Sequence, residues 1–85
     1  MNYTVTWTPK AEQGLAAAWI SASDRNAVPT ASHVLDSELE RDPIHLGKPR
    51  NSSVNCTAVA LPLGIEFEII EDDKKVRVLG VWLIA

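Results

Sequence analysis

Hydrophobic and polar positions alternate most regularly towards the end of the chain, where Ile65, Phe67 and Ile69 are interleaved with Glu66 and Glu68. A period of two belongs to a strand with one face buried and the other in water, so a strand is predicted over about residues 65–70. Glu71, Asp72, Asp73 and Lys74 then form a polar, turn-prone break. The apolar run that follows, Val76, Val78, Leu79, Val81, Trp82, Leu83 and Ile84, is rich in β-branched residues and predicts the second strand of a β-hairpin. Both faces of that strand are mostly apolar, with Arg77 the exception, which predicts a central strand with at least one face under helices. At the other end of the chain, Tyr3, Val5 and Trp7 alternate with Thr4 and Thr6 and predict a further strand.

Between these strands the period changes. Thr8 is a good helix cap and Pro9 a good first helical residue, because the N–H that proline lacks would have no partner there. Ala11, Leu15, Ala18, Trp19 and Ala22 then fall at helical spacing, which predicts a helix over about residues 9–22 with a small-residue face suited to close contact. Gly14 reads as a modest weakness in it. After the turn-forming Ser23, Asp24, Arg25 and Asn26, the residues Ala27, Ala31, Leu35 and Leu39 recur every four positions, with Val28 and Val34 beside them. This predicts a second amphipathic helix with Pro29 in or near its first turn, stopping at Asp42-Pro43.

Residues 44–53 (IHLGKPRNSS) are rich in turn formers and predict a loop; Lys48 and Arg50 form the local cluster of positive charge, with His45 nearby. Residues 54–61 read as another strand, and Pro62-Leu63-Gly64 as the turn into the hairpin. The order is β-α-α-β-β-β. Such an order buries a helical hairpin on one face of a mostly antiparallel sheet, giving a two-layer α+β fold with both helices on the face of Val5, Phe67 and Val78.

At 85 residues the chain is expected to form one domain, 1–85, with a single core. Its composition, 46% hydrophobic against 22% charged, is that of a globular protein. A net charge of −3 argues against general attraction to nucleic acid or anionic lipid, so a polyanion would have to meet a local basic patch. The single Cys56 reads as a small buried hydrophobe in a reducing cytoplasm, since no His or Lys lies near it in sequence to activate the thiol. No apolar run is long enough to span a membrane, and His45 has no second ligand at metal spacing. Neither a metal nor a cofactor is expected. Trp7 and Trp19 are assigned to the core, and Trp82, set among aliphatic residues, is placed there in preference to an exposed stacking platform.

The succession of YTVTWTPKA leading into a helix, a second helix ending in ERDP, the loop HLGKPR and the hairpin PLGIEFEIIEDDKKVRVLGVW resembles the RelE/ParE superfamily of toxins from bacterial type II toxin-antitoxin pairs. The resemblance covers nearly the whole chain. It implies a RelE-like fold and a small cytoplasmic toxin that inhibits growth, neutralised by a cognate antitoxin and associated with plasmid stabilisation. It implies two kinds of target, mRNA in the ribosomal A site or DNA gyrase, with no small-molecule cofactor and no membrane.

Within that resemblance, Lys48, Arg50 and Arg77 are the positions that line up with a phosphate-binding or catalytic role, and Trp82 joins them as a target-binding candidate. Cleavage of RNA by its own 2′-OH requires cations where charge develops and groups that move protons. Where nucleases of the family carry arginines on the strand after the loop, this chain has Ala58 and Val59. Where they carry a C-terminal His or Tyr, it has Leu83, Ile84 and Ala85. The expectation is therefore a toxin that acts by binding, with ribonuclease activity weak or absent; the alternatives are a ribosome-dependent mRNA endonuclease with a reduced site of Lys48, Arg50 and Arg77, or a degenerate, non-toxic homologue. Arg77 also has an expected structural role, pairing with Glu66 or Glu68 across the hairpin.

Overall fold

A computed structural model of the chain describes residues 2–43, the backbone of 48–49, and residues 55–84. Its elements are β1 (Thr4–Trp7), α1 (Pro9–Ser21), α2 (Ala27–Arg41), β2 (Lys48–Pro49), β3 (Asn55–Ala60), β4 (Leu63–Ile70) and β5 (Lys75–Leu83), with one 3-10 turn at Glu71–Asp73 between the last two strands. The five strands form one sheet in the order β1-β5-β4-β3-β2. Every neighbouring pair is antiparallel except β1 and β5. The fold is the predicted two-layer α+β arrangement, with β5 inside the sheet as its apolar sequence requires.

Local chemistry accounts for the boundaries. Thr8 Oγ1 accepts the Ala11 N–H at 3.2 Å and donates to the Val78 carbonyl at 2.9 Å, so one side chain both caps α1 and fastens its start to β5. Asp24 Oδ1 accepts the Asn26 N–H at 3.1 Å and shapes the turn before α2. That helix ends at Arg41, ahead of Asp42-Pro43. Lys74, in the left-handed region at φ 51, closes the turn from the 3-10 segment into β5.

Three boundaries differ from the sequence reading. The predicted loop contains a two-residue strand, because Lys48 and Pro49 pair with Thr57 and Cys56; His45, Arg50 and the rest of that loop lie outside the described residues. The turn into the last hairpin is Leu61-Pro62, with a cis peptide bond, and Leu63 and Gly64 already belong to β4. The first helix stops one residue early, at Ser21.

The core lies between the helices and one face of the sheet. From the sheet it takes Cys56, Ala58, Leu63, Ile65, Phe67, Val76, Val78 and Val81; from the helices it takes Ala11, Ala18, Val28, Ala31, Leu35 and Leu39. The stripe on α2 is the one its four-residue spacing predicts. That on α1 is different, because its buried residues are small. Gly14 explains this. A Cβ added there would overlap the Val81 carbonyl oxygen, so α1 lies directly against the backbone of β5 and no side chain fits between them. Gly14 is therefore a packing requirement, not merely a weak point in the helix. The assignment of Trp19 to the core is overturned: the face of α1 that meets β5 runs through Ala11, Gly14 and Ala18, and Trp19 lies about 100° round the helix from Ala18, where it is 46% exposed.

Candidate functional site

The outer face of the sheet, away from the helices, carries the sequence-predicted site residues that can be placed. Strand pairing lines its positions up in rows. Thr6, Arg77, Glu68 and Asn55 stand opposite one another across four strands. Gly80, Glu66, Thr57 and Lys48 form the next row, and Trp82, Gly64 and Val59 the row after it.

Arg77 lies where its strand period puts it. Its Nη1 is 2.9 Å from Glu68 Oε1, the cross-strand ion pair expected from the sequence, and its side chain remains half-exposed. Much of its positive charge is thus met within the face. Lys48 stands three strands away, so its backbone is separated from that of Arg77 by about 14 Å at the usual strand spacing of ~4.8 Å. The intervening strand β4 brings the carboxylates of Glu66 and Glu68 to the same face. The described residues therefore do not gather Lys48 and Arg77 into one cationic pocket, and Arg50 cannot be placed.

Trp82 is the principal departure from the sequence reading. Strict alternation from Val76 and Val78 would put it on the inner face, but pairing shifts by one residue along β5. Phe67 faces Val78, whereas Glu66 faces Gly80, leaving Leu79 as an extra residue in a β-bulge. Beyond the bulge the parity is reversed. Val81 turns into the core opposite Ile65, and Trp82 turns outward, 41% exposed. The indole lies across Gly64, where a Cβ would come within 2.5 Å of Nε1. It lies flat because the residue beneath it has no side chain. With Val59, also largely exposed, it gives this end of the outer face an apolar surface. Alternation alone could not reveal this, but Gly80 inside an otherwise apolar strand is a known sign of a bulge.

At the opposite end of the sheet is a second polar cluster. The Tyr3 hydroxyl donates to both Glu71 carboxylate oxygens, at 3.0 and 3.1 Å. Lys74 pairs with Glu71 and lies 5.4 Å from the centre of the Tyr3 ring. The hydrogen bonds from Lys74 and Tyr3 hold the Glu71 carboxyl below the usual carboxylate range, and the bond to Glu71 raises Lys74. This clasp ties the start of β1 to the β4–β5 turn and presents no open binding position. Cys56 is buried, and burial raises its thiol pKa, which makes it a poor nucleophile. Among the described residues there is no group of His, Cys, Asp and Glu able to hold a metal, and no helix is long and apolar enough to cross a membrane.

No family model and no curated protein sequence matches this chain. Solved structures do. A chain of the RelBE2 toxin-antitoxin complex from Mycobacterium tuberculosis superposes with a TM-score of 0.80 at 21% identity, covering 98% of this chain and 99% of its own. A chain of the chromosomal ParDE toxin-antitoxin system from P. aeruginosa gives 0.72 at 15% identity, covering 98% and 97%. The isolated RelE toxin of E. coli gives 0.69 at 15% identity, covering 98% and 85%. With the helical hairpin, strand order and length all matched, this chain has the RelE/ParE fold.

Proposed function

We propose that this chain is the toxin component of a type II toxin-antitoxin pair, a cytoplasmic protein that inhibits growth by binding a cellular target and is neutralised by a cognate antitoxin. The observation that carries this reading is the extent of the structural match: 98% of this chain against 99% of a chain from a toxin-antitoxin complex. The outer face of the sheet is the target-binding surface, with Trp82 as its apolar anchor and Arg77 as its polar one. Lys48, at its register position on β2, extends it, and Arg50 follows it in sequence. The chemistry of the face supports binding over catalysis. Arg77 is engaged by Glu68, Glu66 shares its face, and of the two residues Ala58 and Val59 the first is turned into the core and the outward one is aliphatic, so neither supplies a cation to stabilise a cleaving phosphate.

A second reading, a ribosome-dependent mRNA endonuclease with a reduced site of Lys48, Arg50 and Arg77, draws on one observation: the exposed Trp82 indole on the Arg77 face could stack on a base. Inducible expression in a bacterial host separates the two. Growth arrest is expected, relieved by co-expression of an antitoxin encoded by a neighbouring small open reading frame where one is found, with unchanged mRNA ends on translating ribosomes. Trp82→Ala is expected to weaken the arrest more than Arg77→Ala. Codon-dependent cleavage that disappears in Arg77→Ala would establish the endonuclease instead. Absence of both arrest and binding to the neighbour-encoded protein would remove the toxin reading.

A further inference from the structure

On the side of the helical layer away from the sheet, α1 and α2 enclose a groove of about 450 Å³ whose lining includes Leu15, Ala16, Trp19, Ile20, Val28 and Pro29. Trp19 and Ile20, 46% and 64% exposed, form its outer wall. A neighbouring hollow continues it towards the start of α1 through Leu15, Pro29 and Ser32, and there its character changes. Glu12 and Asp36 line that end, the latter accepting a hydrogen bond from Trp7 Nε1 at 3.1 Å. A cation marks the opposite end. The Arg25 guanidinium lies 5.0 Å from the centre of the Trp19 ring. The groove therefore runs from an acidic end to an apolar end bordered by a cation.

We infer that this groove docks a second copy of the same chain, related by a two-fold axis near Ala16. The argument is self-complementarity. Glu12 and Trp19 are seven residues apart on α1, about 10 Å at the helical rise, with Ala16 midway between them. When two α1 helices pack antiparallel across this groove, Trp19 and Arg25 of each copy reach Glu12 and Asp36 of the other, and every contact is made twice, as a two-fold interface requires. Ala16 is exposed and small, so the helices can approach closely at the axis. A partner of any other sequence would have to supply an apolar segment followed by a cation; this chain already carries both, in the right order. The contact is confined to one helical face of each copy, so the dimer is a weak one in exchange with monomer. The inference does not depend on the toxin reading and concerns the opposite side of the molecule from the proposed target surface.

Sedimentation velocity of the purified full chain over a concentration series tests it, with circular dichroism confirming that each variant is folded. The wild type is expected to dimerise with a dissociation constant on the order of tens of micromolar. Ala16→Arg should leave only monomer. Glu12→Arg and Arg25→Glu should each weaken association roughly tenfold, and the double variant should recover most of the loss, because both reversals restore opposite charges across the axis. A wild type that stays monomeric throughout overturns the proposal, including the case in which only a different protein occupies the groove. So does a dimer that folded Ala16→Arg leaves intact, or a double variant no better than the single ones.

Discussion

On the inner face of the sheet Val76, Val78 and Val81 are sealed beneath the helices, whereas on the outer face Arg77 and Trp82 of the same strand remain in contact with solvent. The inner residues have geometry imposed from both sides, down to the absence of a side chain at Gly14. The outer ones are constrained only from below, by Glu68 beside Arg77 and by the bare backbone of Gly64 under Trp82. One strand thus serves two purposes, and substitutions on its two sides should behave differently. Inner changes should be read in stability and outer changes in binding.

The largest effect is expected at Phe67, fully buried opposite Val78. Phe67→Ala should cost about 3–5 kcal/mol in chemical denaturation, through lost burial and the cavity left behind. The contrast would break if the loss were as small as that of an exposed residue. Gly14→Ala sharpens it further. Helix propensity alone predicts a gain of up to about 1 kcal/mol, but the new methyl meets the Val81 carbonyl, and forcing backbones apart in a packed core typically costs about 1–3 kcal/mol. The variant should melt below wild type; a higher melting temperature would show that α1 can lift from β5 freely.

On the outer face the effects shrink. A double-mutant cycle on Arg77→Ala and Glu68→Ala should give a coupling of about 0.2–1 kcal/mol that declines with added salt, since the pair is partly exposed. A larger, salt-independent coupling would mean that the pair is structural rather than available to a partner. The smallest effect concerns pH. Glu71 is held below its ordinary range by Lys74 and Tyr3, so the stability it contributes is fully present above the unfolded carboxylate range and is lost as pH falls through its lowered folded value. Glu71→Gln should flatten that part of the acid-side stability profile. An unchanged profile would show that the clasp at Tyr3 adds nothing.

The elements that the sequence reveals best are those whose period is unbroken. Ile65, Phe67 and Ile69 in β4, and Ala31, Leu35 and Leu39 in α2, keep their spacing from end to end, and the observed strand and helix follow it. The misplaced residues are two large aromatics for which pattern and packing disagree. Trp82 was carried outward by the single extra residue at Leu79, a count that depends on the pairing partner and so cannot be read from β5 alone. Trp19 lies on the flank because the face of α1 laid against β5 is that of Ala11, Gly14 and Ala18, about 100° round the helix from it, and the choice of that face rests on the tertiary contact at Gly14. The Arg77 pair was legible because strand alternation and opposite charge pointed the same way. Candidate residues set on β2 and β5, three strand spacings apart, leave no compact motif in the sequence, which is why they could be proposed individually but their separation could not.

The parallel pairing of β1 with β5 also governs the order in which the chain can become a protein. Thr4 lies beside Lys75, so the first strand synthesised has no neighbour in the sheet until the last one emerges from the ribosome. α1 rests on that same last strand, and it too must wait. Contacts this distant in sequence are slow to form and depend on synthesis having passed β5. A nascent copy therefore cannot assemble either face of its sheet before β5 is made, and the two faces form almost together.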